Sequence, residues 1–235
     1  MEPLYQITVN CKMCELDFRT SRVRPSFKKS IKTDTDFCMY YKKENENPEF
    51  YVVRVCPNCG FSTTESFSQS FTERTRALFA QRIAATWKTK DYGGKRTIDE
   101  AMSAYKLALI SAQIAGESQR VIAGLLHHIA WLYRYQDDWE GEERFLRHAL
   151  DSYIRVYETE GSDASSARLM YLIGELNRRL KQYQEAVKWF GRVINDKQIV
   201  DAGMIRACRE GWAAAREDML GSGIGLPEEL KSAGK

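Results

Sequence analysis

Histidine and proline are scarce in this chain, at three and five in 235 residues. His127, His128 and His148 include no pair at the helical spacing of a metal site, which argues against a histidine-based metalloenzyme. Net charge is also small: 35 basic residues against 32 acidic ones leave +3, so the total makes no case for nucleic acid. Any such case must rest on local clusters. Long apolar runs are missing too. The most apolar segment, Val121 to Leu126, stops at His127 and His128, far short of the roughly 20 residues a spanning helix needs. Met1 to Gln6 has neither a basic nor an apolar signal region, so a cytoplasmic location is expected, with no membrane partner. Catalytic signatures are absent as well. There is no G-x-S-x-G and no H-E-x-x-H, and Gly93-Gly94-Lys95 lacks the earlier glycine of a phosphate loop. A non-enzymatic role is the expectation.

What stands out against this background is a split quartet of cysteines, Cys11-Lys12-Met13-Cys14 and Cys56-Pro57-Asn58-Cys59-Gly60. Each C-x₂-C pair offers two thiolates one tight turn apart, and two pairs supply the four soft ligands of a tetrahedral structural zinc. Pro57 and Gly60 match a rubredoxin-type knuckle, in which glycine permits a positive φ and backbone N–H groups face the sulfurs. Iron is the alternative metal, and with it a one-electron role. Glu15 in place of a glycine after the first pair favours zinc. The 41 residues between Cys14 and Cys56 exceed the loop of a compact ribbon, so the metal must close a long loop. Tyr5, Ile7 and Val9 alternate with polar residues before the first pair, and the β-rich run Phe50 to Val55 leads into the second; each pair is expected at a hairpin tip. Cys38 and Cys208 read as buried free thiols.

From about Phe71 the apolar period changes from two to 3.6. Self-alignment gives three helix-turn-helix units starting near Arg82, Ala123 and Ala167, with the first the weakest match. Their spacing exceeds the usual 34 residues of a tetratricopeptide repeat, so each inter-unit turn carries an extension. Gly161 to Ser166 is one such extension and is expected to cap the next helix. The fold class is therefore mainly α: a tetratricopeptide-like helical repeat array with a small N-terminal β module of zinc-ribbon type. The expected division is residues 1–70 for the Cys₄ module, 71–220 for three hairpins and a closing helix, and 221–235 for a loose tail.

The pattern Asp34-x-Asp36-Phe37-Cys38, then Asn47-Pro48-x-x-Tyr51, a valine-rich strand and Cys56-Pro57-x-Cys59-Gly60 resembles a bacterial family catalogued as a domain of unknown function. In that family an N-terminal cysteine quartet precedes tetratricopeptide-like helices. The resemblance implies the fold and a bacterial cytoplasmic origin, and brings no activity with it.

Two regions suit a partner. A tetratricopeptide array lines its concave face with set positions of each first helix. Here those positions include His127, Trp131, Arg134 and Tyr135 in the second unit, and Arg168, Tyr171, Arg178 and Arg179 in the third. Arginines and large aromatics together suit an acidic or carboxylate-ended peptide, which makes a protein-binding scaffold the leading expectation. The alternative partner is nucleic acid, through the basic run Arg19, Arg22, Arg24, Lys28, Lys29 and Lys32 with Phe18 and Phe27 at its edges.

Overall fold

In a computed structural model, which describes residues 2–42, 44–160 and 166–223, the chain is mainly helical, with short antiparallel strand pairs at its N-terminal end. It divides into two compact units, Met1–Phe145 and Leu146–Lys235.

The first unit opens with a hairpin. Strand β1 (Leu4–Asn10) pairs antiparallel with β2 (Asp17–Val23), Leu4 opposite Val23 and Asn10 opposite Asp17, so Cys11 to Leu16 form the connecting turn. A second short ladder joins β3 (Lys32–Thr33) to β4 (Met39–Tyr40), and a third joins β5 (Arg54–Val55) to β6 (Ser62–Thr63) around the second cysteine pair. Both pairs therefore sit in hairpin turns, as the sequence pattern predicts. The strand expected over Phe50 to Val55 is much shorter than that. Pro48–Tyr51 form a 3₁₀ turn, because Pro48 presets the helical φ and the Asn47 side chain accepts the Glu49 N–H.

Helix α1 (Glu73–Arg82) follows, then an irregular stretch to Thr97, α2 (Ile98–Ala115), α3 (Gln119–Tyr135) and α4 (Trp139–Glu160). Thr97 and Glu100 close a reciprocal capping box that starts α2, and Gly116 at φ +71 ends it. The first expected repeat unit thus lacks its leading helix. Residues 83–97 are instead drawn onto the β module: the Ser21 hydroxyl donates to Gly93 O (2.6 Å) and the Trp87 indole N–H to Pro57 O (2.8 Å). One continuous core runs from Cys11, Val55 and Phe61 through Phe79 to Tyr105, Leu125 and Ile129. Residues 1–70 share it with α2 and α3, and the Ser62 N–H donates to the Ser111 hydroxyl of α2 (3.2 Å).

The second unit contains the C-terminal part of α4, then α5 (Ala167–Arg179), α6 (Tyr183–Asn195) and α7 (Ala202–Gly221). Gly174 of α5 meets the Phe190 ring of α6 so closely that a Cβ there would stand 2.6 Å from Cε1. Asp201 caps α7 by accepting the Met204 N–H (3.0 Å). Ser166 precedes α5 without a side-chain capping bond, and residues 161–165 of the expected extension lie outside the described residues, as do 224–235 of the expected tail.

Candidate metal centre

The two cysteine turns are built alike. In the first, the Cys11 N–H donates to Leu16 O (3.0 Å) and the Glu15 N–H to Cys11 O (2.8 Å). In the second, the Cys56 N–H donates to Phe61 O (2.9 Å) and the Gly60 N–H to Cys56 O (2.9 Å). Glu15 and Gly60 both take the left-handed conformation such a knuckle needs, at φ +64 and +77. The hairpin stem fixes the first turn further, because Asn10 Nδ2 donates to Glu15 O and to Asp17 Oδ1, both at 2.9 Å.

All four sulfurs lie within 4.8 Å of one another, with Cys11 Sγ 3.7 Å from Cys59 Sγ and Cys14 Sγ 3.7 Å from Cys56 Sγ. A tetrahedron with metal–sulfur bonds of about 2.3 Å has edges of about 3.8 Å. The sulfurs therefore stand at the spacing of a closed tetrahedral shell. Cys11, Cys56 and Cys59 are buried and Cys14 is half-buried. The hydrogen bonds from Cys11 and Cys59 hold Cys56 down at about 2, whereas Cys11 is pushed up to about 12, chiefly by its bond to Cys56, and Cys59 moves upward, chiefly through Cys11. Four thiolates this close need a cation among them to share their charge. The donor set fits a soft, tetrahedral metal ion.

Two side chains that sequence reasoning did not single out support the knuckles. Arg76 of α1 donates to Met13 O (3.0 Å) and pairs with Glu15 (3.2 Å). Trp87 lies against Gly60, where a Cβ would come within 2.6 Å of the ring, and donates to Pro57 O. Neither has a local sequence signal, since both reach the turns from outside them. Cys38, by contrast, stands apart from the quartet. It is fully buried, its thiol faces the Tyr135 hydroxyl (3.6 Å), and burial pushes it up to about 12. Cys208 is likewise buried and pushed up to about 12 by desolvation.

The expected groove residues of α3 are engaged within the first unit. Asp36, fully buried, accepts from His127 Nε2 (3.2 Å), Trp131 Nε1 (3.2 Å) and both terminal nitrogens of Arg134 (2.9 and 2.7 Å). Arg134 also reaches Asp34 (3.1 Å) and Glu142 (2.8 Å), and Tyr135 donates to Met39 O (2.7 Å). Segment 34–39 thus lies against the face of α3 that a tetratricopeptide array would offer to a partner. The neighbouring His128 donates from Nδ1 to Gly124 O (2.8 Å) and faces Glu49 with Nε2 (3.2 Å). In the second unit Arg178 bonds Glu175 and Asp218 (2.7 Å to the latter), Tyr171 is buried beside Phe190, Arg168 is exposed and Arg179 half-buried.

The basic run is dispersed. Arg22 pairs with Glu65, Arg24 lies over Tyr5 (5.2 Å) and Lys32 pairs with Asp34 (2.8 Å). Arg19, Lys28 and Lys29 are exposed. Phe18, expected at the edge of a binding face, is a core residue at 8% exposure and offers no stacking platform. Among the described residues no helix is long and apolar enough to cross a membrane.

Comparison with curated proteins and with solved structures finds no match. A family model described as "Uncharacterized protein conserved in bacteria (DUF2225)" matches residues 4–215, and the chain belongs to that family.

Proposed function

We propose that this chain is a non-enzymatic, zinc-stabilised interaction scaffold that binds an acidic amphipathic segment of a protein partner. The zinc would be held by Cys11, Cys14, Cys56 and Cys59. Four protein ligands leave no open coordination position, so its role would be to close the 41-residue loop and not to activate water. Arg76 and Trp87 would hold the two turns in their ligating conformation.

The helices would serve as tetratricopeptide-like pairs. Support comes from α3 and α5, which begin within four residues of the expected repeat starts, and from the close Gly174 to Phe190 contact, which packs the two helices of the third unit together. The partner site is drawn away from α3, whose arginine and aromatics serve internal bonds, to the groove between α6 and α7.

The observation that carries this reading is a cavity of about 810 Å³ there, floored by Val187, Ile194 and Trp212. Lys188, Arg192 and Arg209 rim it, and no acid lines it among the described residues. Arg192 stacks on Trp189 at 4.0 Å. In a repeat array, a groove between the last unit and its closing helix is where the next helix would pack, so an amphipathic helix with an acidic face complements it in shape and charge.

The test uses a fluorescein-labelled 16-residue helix of leucines at i, i+3, i+4 and i+7 spacing with glutamates opposite. Fluorescence anisotropy is expected to report binding that Arg209→Glu with Trp212→Ala removes, and that the same peptide with lysines for glutamates does not show. Equal binding by the double variant, or none by the wild type, would overturn the proposal.

A further inference from the structure

A second cavity, in the first unit, has a different chemistry. Its volume is about 390 Å³, within the range of small-ligand sites, and it lies where β2, β4 and the 3₁₀ turn after Asn47 approach the β6 end. One wall is apolar and aromatic, made by Met39, Tyr41, Pro48 and Val52. Arg22 and Lys28 also line the cavity, with Thr64 and Ser66.

The local charge is positive. Glu65 is shared by two guanidinium groups, those of Arg22 and Arg54, so one cation there is not offset, and exposed Lys28 adds another. The other acid of the cavity, Glu49, is engaged by a side chain of α3. His128 Nδ1 faces the carbonyl of Gly124 (2.8 Å), and its Nε2 faces the Glu49 carboxylate (3.2 Å). A smaller cavity of about 270 Å³ continues past the shared Val52, Thr64 and Ser66 to that His128 ring.

We propose that this cavity is a nucleotide site, taking an aromatic base against Met39, Tyr41 and Pro48 and a 5′-phosphate on Arg22 and Lys28. A flat apolar ring answers the tyrosine and thioether wall, and a phosphate answers two cations that a single carboxylate leaves in excess. Thr64 and Ser66, which also line the cavity, offer hydroxyls to a ribose. Of the dispersed basic run only Arg22 and Lys28 contribute. The site is separate from the α6–α7 groove and stands or falls independently of the scaffold proposal.

The probes are adenosine 5′-monophosphate, by calorimetry at 50 mM NaCl, and a 5′-phosphorylated, 3′-labelled strand of eight thymidines, by anisotropy. Adenosine monophosphate is expected to bind, with affinity falling at least about tenfold in Lys28→Glu and in Tyr41→Ala, and unchanged in Lys197→Glu, an exposed position of the second unit. Lys28 is exposed, so its variant tests the site even if Tyr41→Ala fails to fold by circular dichroism. A strand displaced by the mononucleotide would identify a nucleic-acid end as one source of the ligand, whereas no strand binding would leave free nucleotides; both uphold the site. Failure of the mononucleotide to bind at millimolar concentration, wild-type affinity in Lys28→Glu, or a bound strand that the mononucleotide does not displace would overturn it.

Discussion

Glu15 holds φ +64 in the first knuckle where Gly60 holds φ +77 in the second. The two residues donate the equivalent N–H, to Cys11 O and to Cys56 O, so the same backbone turn is made once without glycine and once with it. A non-glycine residue there carries strain of about 1–2 kcal/mol, which the Arg76 pair offsets only in part because that pair is largely exposed. Gly60 has a second constraint in Trp87. Glu15→Gly is therefore expected to alter stability by less than about 1 kcal/mol, whereas Gly60→Ala should cost about 2 kcal/mol or more, read by urea unfolding with metal present. Equal costs at the two positions would mean that the knuckles are not equivalent in the way their backbones indicate.

Trp87 and Arg76 act on the ligating turns from outside. If they hold the sulfurs in place, Trp87→Ala and Arg76→Met should each speed the transfer of metal to a chromogenic chelator, by about tenfold, with little change in far-ultraviolet circular dichroism. Unchanged transfer rates in both would reduce these contacts to packing.

The Arg134 cluster calls for a different experiment. Arg134→Met would remove the one guanidinium that fully buried Asp36 shares with Asp34 and Glu142, an expected loss of about 3–5 kcal/mol. Adding Asp36→Asn should recover part of that loss, because the two changes share one interaction. Strict additivity of the two in a double-mutant cycle would deny the coupling.

His127 and His128 are adjacent in sequence and opposite in pH response. Burial lowers His127 and outweighs the raising effect of Asp36; burial also opposes charge on His128, but there the Glu49 hydrogen bond prevails and its pKa is raised. The contribution of His128 is thus complete below its unfolded value of about 6.5 and is lost as pH rises through the higher folded value. Melting temperatures of wild type and His128→Gln should differ most near pH 6 and converge toward pH 9. His127→Gln should show the reverse trend, since a lowered pKa contributes above about 6.5 and is lost on acidification. Parallel curves over this range would show that neither pair titrates as the geometry requires.

Much of this was legible in the sequence because its cues are local. C-x₂-C spacing, Pro57 and Gly60 announce a knuckle within five residues, and the 3.6 period from Phe71 onward announces helices. Self-alignment puts unit starts near Ala123 and Ala167, and α3 begins four residues before the first of these and α5 at the second. What escaped was non-local. The aromatics and arginine of α3 look like a binding face by position, and only the fold brings Asp34 and Asp36 across some 98 residues to meet Arg134. The leading helix expected after Arg82 fails for a similar reason: residues 83–97 follow bonds to the β module, with Trp87 and Gly93 tied to Pro57 and Ser21, in place of a helical period. Phe18 shows the same limit, since a strand residue beside basic neighbours cannot reveal which face is the core.

The clamp role of the quartet makes its own prediction. Cys56→Ser should remove the near-ultraviolet signal of the first unit's packed aromatics around Phe61 and expose the loop between the pairs to protease, while most helical circular dichroism survives. A variant that stays protease-resistant would separate the quartet from folding.

The account rests on a closed zinc site at Cys11, Cys14, Cys56 and Cys59, and the most direct test is the metal content of protein purified without added metal. The account predicts about one zinc per chain in a colourless preparation. Iron with visible absorption that bleaches on reduction, or a folded protein carrying no metal at all, would contradict it.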